Sequence, residues 1–263
     1  KRKATPRRPP AARVSDILAQ SLAIPGLWVM LATCFIAGLV YGFAGFGAAL
    51  VFMPVGTIFL PVEAAIASFN LATIVSIFTV LPRALPLVDR RGTAAMVLCA
   101  LPMVALGIWV LKQADVTLLR WAVIAVAAVT LVALVSGLRY RTTPGPATRA
   151  AVAGVTGFVG GSTGLLGPVL ILFQLAGQDS VARSRATILV FLTITSTLLL
   201  PLMALQGALS PSAIPLGFLM FLPYGLGTKV GQALFDPARE GEYRTVSYLI
   251  IAAAILLGLP VWD

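Results

Sequence analysis

The chain has 263 residues, of which 59% are hydrophobic and 11% are charged, and its mean hydropathy is +0.99. A soluble domain carries about 25% charged residues, so the composition excludes soluble, disordered and collagen-like classes and indicates a polytopic membrane protein. Histidine is absent, which excludes histidine-based general-base catalysis and histidine metal sites. The two cysteines, Cys34 and Cys99, are too few to build a disulfide framework.

The first 13 residues form a basic tail that contains three prolines. The chain has a net charge of +10, and six of its 19 basic residues lie in this tail: Lys1, Arg2, Lys3, Arg7, Arg8 and Arg13. Such a composition predicts a disordered segment over residues 1–13. A polybasic segment ahead of a membrane span is typical of the cytoplasmic side, so we expect a cytoplasmic N-terminus and no nucleic-acid partner.

Long runs without a charged residue follow the tail and predict the membrane segments. A bilayer core about 30 Å thick needs about 20 helical residues. The runs predict a glycine-rich segment at about 22–60, spans at about 64–82, 93–111 and 118–138, a linker at 139–149, a second glycine-rich segment at about 150–176, and spans at about 186–206, 211–234 and 245–262. We therefore predict an all-α, multi-pass protein of the cell membrane, embedded in the lipid bilayer.

The segments have the same order on both sides of the linker, which indicates an internal duplication. A shift of 119 positions superposes three glycines of each half: Gly38 on Gly157, Gly42 on Gly161, and Gly45 on Gly164. The sequence predicts two homologous repeats, 22–138 and 150–262, each with about four hydrophobic segments and each opening with a broken helix or a re-entrant hairpin. Matching interrupted helices point to a transporter site at the repeat interface.

The clustered glycines have two interpretations. Glycine costs about 1 kcal/mol in a helix and proline about 3 kcal/mol, so the glycines near Pro54 and Pro168 favour broken helices. The N–H donors at such breaks must face protein or a water-filled cavity, and they suit an anion. The Gly-x-x-x-Gly spacing in each segment also fits close helix packing through small residues, and both interpretations stay open.

Both glycine segments resemble the signatures of the TauE/SafE family, which is described as sulfite exporters. Gly42-Phe-Ala-Gly45-Phe-Gly47-Ala-Ala-Leu-Val-Phe-Met-Pro54 is similar to the first signature. Thr163-Gly164-Leu-Leu-Gly167-Pro168, followed by Arg185-Ala186-Thr187, is similar to the second, although Leu166 stands where a glycine is usual. The resemblance covers about residues 30–260. It implies a secondary transporter that exports sulfite or small organosulfur anions such as sulfonates, which would be its small-molecule partner.

Several residues could hold such an anion. An arginine fork can donate two parallel hydrogen bonds to a sulfonate; Arg83 and Arg185 lie beside apolar spans, although snorkelling to headgroups is the alternative. Asn70 lies within an apolar span and either bonds another helix or contacts the ligand. The candidate substrate-binding residues are Arg83, Arg185, Asn70, Gly45, Gly47, Thr163, Gly164 and Thr187.

The topology has two solutions. If each glycine segment crosses once, there are eight spans, both termini are cytoplasmic, and the basic residues obey the positive-inside rule. If each is a re-entrant hairpin, each repeat has three full spans and the repeats are inverted. Residues 22–60 would extend about 58 Å as one helix, nearly twice the bilayer core, so length favours the hairpin, whereas the distribution of basic residues mildly disfavours it. Eight hydrophobic crossings are our coarse estimate, with the repeat orientation left open.

Alternating access at the repeat interface is the leading mechanism. No carboxylate lies in the middle of a predicted span, so the membrane potential, worth about 2.3 kcal/mol per charge per 100 mV, would drive anion export. We expect no cofactor and no metal, and a homodimer is compatible with this class. A structural or scaffolding subunit is the alternative, which helices continuous through Gly45 and Gly164 would favour. A membrane-embedded enzyme would need nucleophiles, carboxylate pairs or metal ligands in its core, and the spans hold no histidine, no paired acids and no cysteine cluster.

Overall fold

The computed structural model describes residues 24–137, 145–177, 180–234 and 240–261, and it contains no strand within them. The first half comprises α1 (Leu27–Ala44), α2 (Ala48–Phe59), α3 (Val62–Thr73), α4 (Ser76–Thr79), α5 (Leu81–Ala84), a 3₁₀ turn (Leu85–Leu87), α6 (Arg90–Gln113) and α7 (Val116–Ser136). The second half comprises α8 (Pro146–Thr163), α9 (Pro168–Ala176), α10 (Val181–Leu205), α11 (Ala213–Leu234) and α12 (Glu240–Leu257). The predicted tail, 1–13, and most of the predicted linker, 139–149, lie outside the described residues.

Side-chain caps begin three of the long helices. Asp89 accepts a hydrogen bond from the Gly92 amide at the start of α6, and Asp115 accepts one from the Thr117 amide at 2.8 Å at the start of α7. Ser180 accepts from the third residue of α10. Such caps satisfy helix-terminal N–H groups and stabilise a helix by about 1 kcal/mol each, which is why these helices begin where the apolar runs meet polar residues.

Six described helices are long and apolar enough to cross a membrane. They are Leu27–Ala44, Val62–Thr79, Arg90–Gln113, Val116–Ser136, Ala182–Leu205 and Ala213–Leu234. Of these, Val62–Thr79 is the most buried and α7 the least. Large apolar side chains such as Leu98, Val129 and Phe218 are exposed on the outside, as expected of a surface that meets lipid. The protein is therefore an all-helical, multi-pass membrane protein.

The predicted spans match the helices at their centres and differ at their ends. The span predicted at 245–262 corresponds to α12, which begins at Glu240 and ends at Leu257. The prediction was too late by about one turn because it counted only charge-free residues, whereas α12 opens with Glu240, Glu242 and Arg244. The glycine-rich segment at 22–60 is divided into α1 and α2, as the broken-helix interpretation expects.

Two glycine seams hold the helices together at backbone distance. Gly38 and Gly42 of α1 face Tyr224, Thr228 and Gly231 of α11, so closely that a Cβ atom at Gly42 would overlap the Thr228 carbonyl oxygen. In the other half, Gly157 and Gly161 of α8 face Ala100, Val104 and Gly107 of α6 in the same way. Both pairs run parallel, and they are the most extensive helix contacts of the fold. The Gly-x-x-x-Gly interpretation therefore holds for these four glycines.

The first glycine segment folds back on itself. Gly26, just before α1, lies against the ring of Phe59, the last residue of α2. Both ends of this hairpin therefore lie at the same end of the bundle. We name this the Gln206 end, since Lys112 donates to the Gln206 carbonyl there, and the opposite one the Arg83 end, where Arg83 meets Gln232.

The second glycine segment enters from the other side. Arg149, at the start of α8, lies near Gly92 at the start of α6, which belongs to the Arg83 end. From there α8 runs towards the Gln206 end, opposite to α1, and α9 packs back against it. The opening helices of the two halves therefore run in opposite directions through the bundle.

Candidate functional site

Both glycine segments break at residues with a left-handed backbone. Gly45 ends α1 with φ of 82°, and Gly164 ends α8 with φ of 76°; each donates its N–H to the carbonyl four residues earlier, Tyr41 or Gly160, at 2.9 Å. Gly47 precedes α2 with φ of 90°. Residues with a Cβ atom rarely adopt this conformation. The predicted helix breaks are confirmed at these positions.

Each break exposes the start of a short helix. The first intrahelical bonds run from the Val51 amide to the Gly47 carbonyl in α2 and from the Ile171 amide to the Gly167 carbonyl in α9. The amides ahead of Val51 and Ile171 therefore have no acceptor within their own helix. Each such N-terminus carries roughly half a positive charge, so both breaks offer donors for an anion.

A central cavity connects these two helix starts. The first turns of α2 and α9 line it together with residues of α1, α3, α4, α10 and α11. Its polar side chains are Tyr41, Asn70, Thr73, Ser76, Thr193, Ser196 and Tyr224. No lysine, arginine, aspartate or glutamate is among its lining residues, all of which belong to the described part of the chain.

The family described as Sulfite exporter TauE/SafE matches residues 30–258. The chain belongs to the TauE/SafE family. A search of curated proteins and a search of solved structures each found no match. The matched range spans both breaks and every residue of the central cavity, so this TauE/SafE protein carries the cavity within its family-matching part.

The polar groups of the cavity differ in what they can donate. Asn70 is buried and gives one amide hydrogen to the Ile66 carbonyl at 2.8 Å, which leaves its second amide hydrogen for a ligand. The Tyr41 and Thr193 hydroxyls lie 3.4 Å apart, and that pair retains one hydroxyl hydrogen. Thr73, by contrast, gives its hydroxyl hydrogen to the Asn70 carbonyl at 2.8 Å.

Aromatic rings form one wall of the cavity and fix its shape. Phe52 and Phe69 stack with centroids 4.6 Å apart, and Phe69 meets Tyr224 edge to face at 5.8 Å. The Tyr41 ring lies 6.2 Å from that of Tyr224. Such contacts are each worth about 0.5–1.5 kcal/mol beyond area burial. They join α1, α2, α3 and α11 around the tyrosine hydroxyls.

The structure brings together only part of the candidate set. Asn70, Gly47 and Gly164 line the central cavity, whereas Gly45, Thr163, Thr187, Arg83 and Arg185 do not. The Thr163 hydroxyl donates to the Val159 carbonyl at 2.7 Å and accepts from the Leu165 amide, so it stabilises the bend after α8. Thr187 is buried on α10 outside the cavity lining.

Arg185 of α10 lies against the break at the end of α1. Its Nη2 donates to the Gly42 carbonyl at 2.7 Å, near the negative end of the α1 dipole. A Cβ atom at Gly45 would lie 2.7 Å from Cγ of Arg185. At the other break the neighbour is Ile66, whose Cγ1 would lie 2.8 Å from a Cβ atom at Gly164.

None of the six hydroxyl side chains that line the central cavity was among the candidates from the sequence. Tyr41 lies between Gly38 and Gly42 of the packing motif and was not considered. Thr193 and Ser196 belong to a cluster of four hydroxyl residues, at positions 193 and 195–197, in the middle of an apolar helix. Since a hydroxyl in hydrocarbon needs a partner, that cluster was a usable signal for a polar site at membrane depth.

Proposed function

We propose that this TauE/SafE protein is a secondary transporter, not an enzyme, that exports sulfite or small sulfonate anions and binds them in the central cavity. Family membership supports a membrane exporter of sulfite-like anions. The substrate and the alternating-access mechanism are our proposals, as are a location in the cell membrane and a homodimeric state. Helices continuous through Gly45 and Gly164 would have favoured the scaffolding alternative, and the interruptions at both glycines weigh against it.

The convergence of two helix N-termini on one cavity carries this proposal. Together the starts of α2 and α9 supply about one positive charge, which matches the single charge of a sulfonate. The second amide hydrogen of Asn70 adds a donor between them. Neutral donors and dipoles bind an anion less tightly than a buried arginine pair, which suits a carrier that must also release its substrate.

We further propose that the two halves are inverted repeats. The shift of 119 positions pairs the breaks, and α1 and α8 open the halves in opposite directions. Each opening helix also packs in parallel on the fourth long segment of the other half, α1 on α11 and α8 on α6. Discontinuous helices at such an interface are typical of secondary transporters, whose halves rock around a fixed site.

The fold-back of the glycine segments changes which end of the bundle we expect to face the cytoplasm. Among the described basic residues, Lys112 and Arg120 lie towards the Gln206 end and all others towards the Arg83 end. The positive-inside rule therefore favours a cytoplasmic Arg83 end. The described chain begins at the Gln206 end, so this proposal places the start of α1 on the outer side, whereas the sequence analysis expected a cytoplasmic N-terminus.

Cysteine labelling tests the fold-back and the orientation together. Single cysteines at Thr5 and Thr143, in a background without Cys34 and Cys99, are treated with an impermeant reagent on intact cells. We expect labelling at Thr5→Cys and none at Thr143→Cys until the cells are opened. Equal accessibility of the two positions would contradict inverted repeats and support eight crossings.

Transport by purified protein tests the function. Proteoliposomes loaded with sulfite, a sulfonate, a carboxylate or phosphate are compared with and without an imposed potential. We expect sulfite or sulfonate efflux that increases when the loaded side is negative, because the cavity lining offers no carboxylate for proton coupling. Asn70→Ala should slow efflux, whereas Ser68→Ala should not, because the buried Ser68 hydroxyl serves only its own helix at Ala64 and Ala65. Carboxylate or phosphate transport in place of organosulfur anions would refute the substrate class.

A further inference from the structure

A second cavity lies at the Arg83 end and shares no residue with the central one. It lies between the end of the α3–α5 segment and the end of α11. Its lining residues are Phe78, Thr79, Pro82, Arg83, Lys229, Gln232 and Ala233. We call it the surface cavity.

The surface cavity concentrates positive charge. Arg83 and Lys229 are both exposed, and no carboxylate is among its lining residues in the described chain. Two like charges in one concave site attract an anion more strongly than either does alone. The observed partner of Arg83 is neutral: its Nη1 donates to Oε1 of Gln232 at 3.2 Å.

Gln232 orients the arginine. Its Nε2 donates to the Thr79 carbonyl at 3.4 Å, so the amide is held between the end of α4 and the guanidinium. Arginine has five N–H donors in a fixed fork, and this bond occupies one of them. The remaining donors can bind two oxygens of one phosphate.

The cavity also has an apolar side. The Phe78 ring is 72% exposed although it lies near the end of a membrane-spanning helix, where lipid surrounds the protein. A small inorganic anion would leave this ring uncovered, whereas a lipid would cover it with its acyl chain. We propose that Arg83, Lys229 and Gln232 bind the phosphate of an anionic phospholipid whose acyl chain packs on Phe78.

Lipid titration tests this proposal. The purified transporter is placed in phosphatidylcholine nanodiscs with increasing phosphatidylglycerol, and its thermal stability is followed. We expect half-maximal stabilisation of the Arg83→Gln/Lys229→Gln variant to need at least about tenfold more phosphatidylglycerol than the wild type. The matched control is Arg90→Gln/Arg91→Gln, which removes the same charge from the same end outside the cavity. Equal losses in both variants would mean that only general surface charge acts, and would overturn the site.

Two further arms separate lipid from other anions. Inorganic phosphate, titrated in phosphatidylcholine alone, should not reproduce the stabilisation; full stabilisation by it would overturn the lipid assignment. Phe78→Ser keeps both charges and should weaken the response to phosphatidylglycerol. A raised KM for sulfite in the Arg83→Gln/Lys229→Gln variant in pure phosphatidylcholine would instead make the cavity a substrate entrance, and would also overturn the proposal.

Discussion

A Gly164→Ala substitution should destabilise the protein more than Gly207→Ala, although both glycines have a left-handed backbone, with φ of 76° and 66°. The backbone cost of a Cβ atom in this conformation, about 1–2 kcal/mol, is common to both. At Gly164 the new atom would also lie 2.8 Å from Cγ1 of Ile66 and 3.0 Å from Cε of Met53, both fully buried. At Gly207 nothing lies within 4 Å. Overpacking adds about 1–3 kcal/mol, and this is the expected difference.

The measurement compares unfolding free energies of the two variants in the same detergent, together with sulfite efflux from proteoliposomes. Gly164→Ala should also slow efflux, because relief of the overlap with Ile66 shifts the start of α9 at the cavity. Gly207→Ala should transport normally. Equal unfolding free energies for the two variants would refute the packing argument. Normal efflux by a destabilised Gly164→Ala variant would show that the geometry of this break is not required for transport.

Three further substitutions separate ligand contacts from structural ones. Asn70→Ala should raise the anion Kd about ten- to a hundredfold, since a hydrogen bond to a charged group is worth about 1.5–3 kcal/mol; isothermal titration against Ser68→Ala measures it, and equal Kd values would remove Asn70 from the site. Tyr41→Phe should raise Kd about fivefold through loss of one neutral hydrogen bond, and an unchanged Kd would mean that Thr193 supplies the donor. Arg185→Ala should lower the melting temperature, and Arg185→Lys should lower it less, because the guanidinium donates a hydrogen bond to the Gly42 carbonyl. Loss of anion binding with an unchanged melting temperature would instead make Arg185 a ligand contact.

The spans and breaks were readable from the sequence because their cause is local. A run without charges must be buried or face lipid, and a glycine cluster followed by proline weakens a helix wherever it occurs. The roles of individual glycines were not readable. Gly42 lacks a side chain because α11 lies at backbone distance, whereas Gly45 lacks one because its φ is positive. Sequence spacing alone does not distinguish these two requirements.

The cavity was harder to predict because distant segments build it. Tyr41 on α1 and Thr193 on α10 are 152 residues apart in sequence, and they meet only when the two halves pack together. Asn70 and Arg83 belong to the same segment, which begins with α3, and yet they line different cavities. Proximity of a cation to an apolar span therefore predicted that it lies near the membrane boundary, and left open which cavity it faces.

The two glycine seams have a mechanical consequence. Where α1 meets α11, and where α8 meets α6, backbone touches backbone, so neither helix can slide along its partner without driving a side chain into a carbonyl. We therefore expect each pair to move as one body in the proposed transport cycle. The displacement would then occur elsewhere, at the left-handed glycines of the two breaks, Gly45, Gly47 and Gly164, and along the contact of α3 with α10. The close-packed pairs would be the rigid parts of the transporter, and the glycine breaks its hinges.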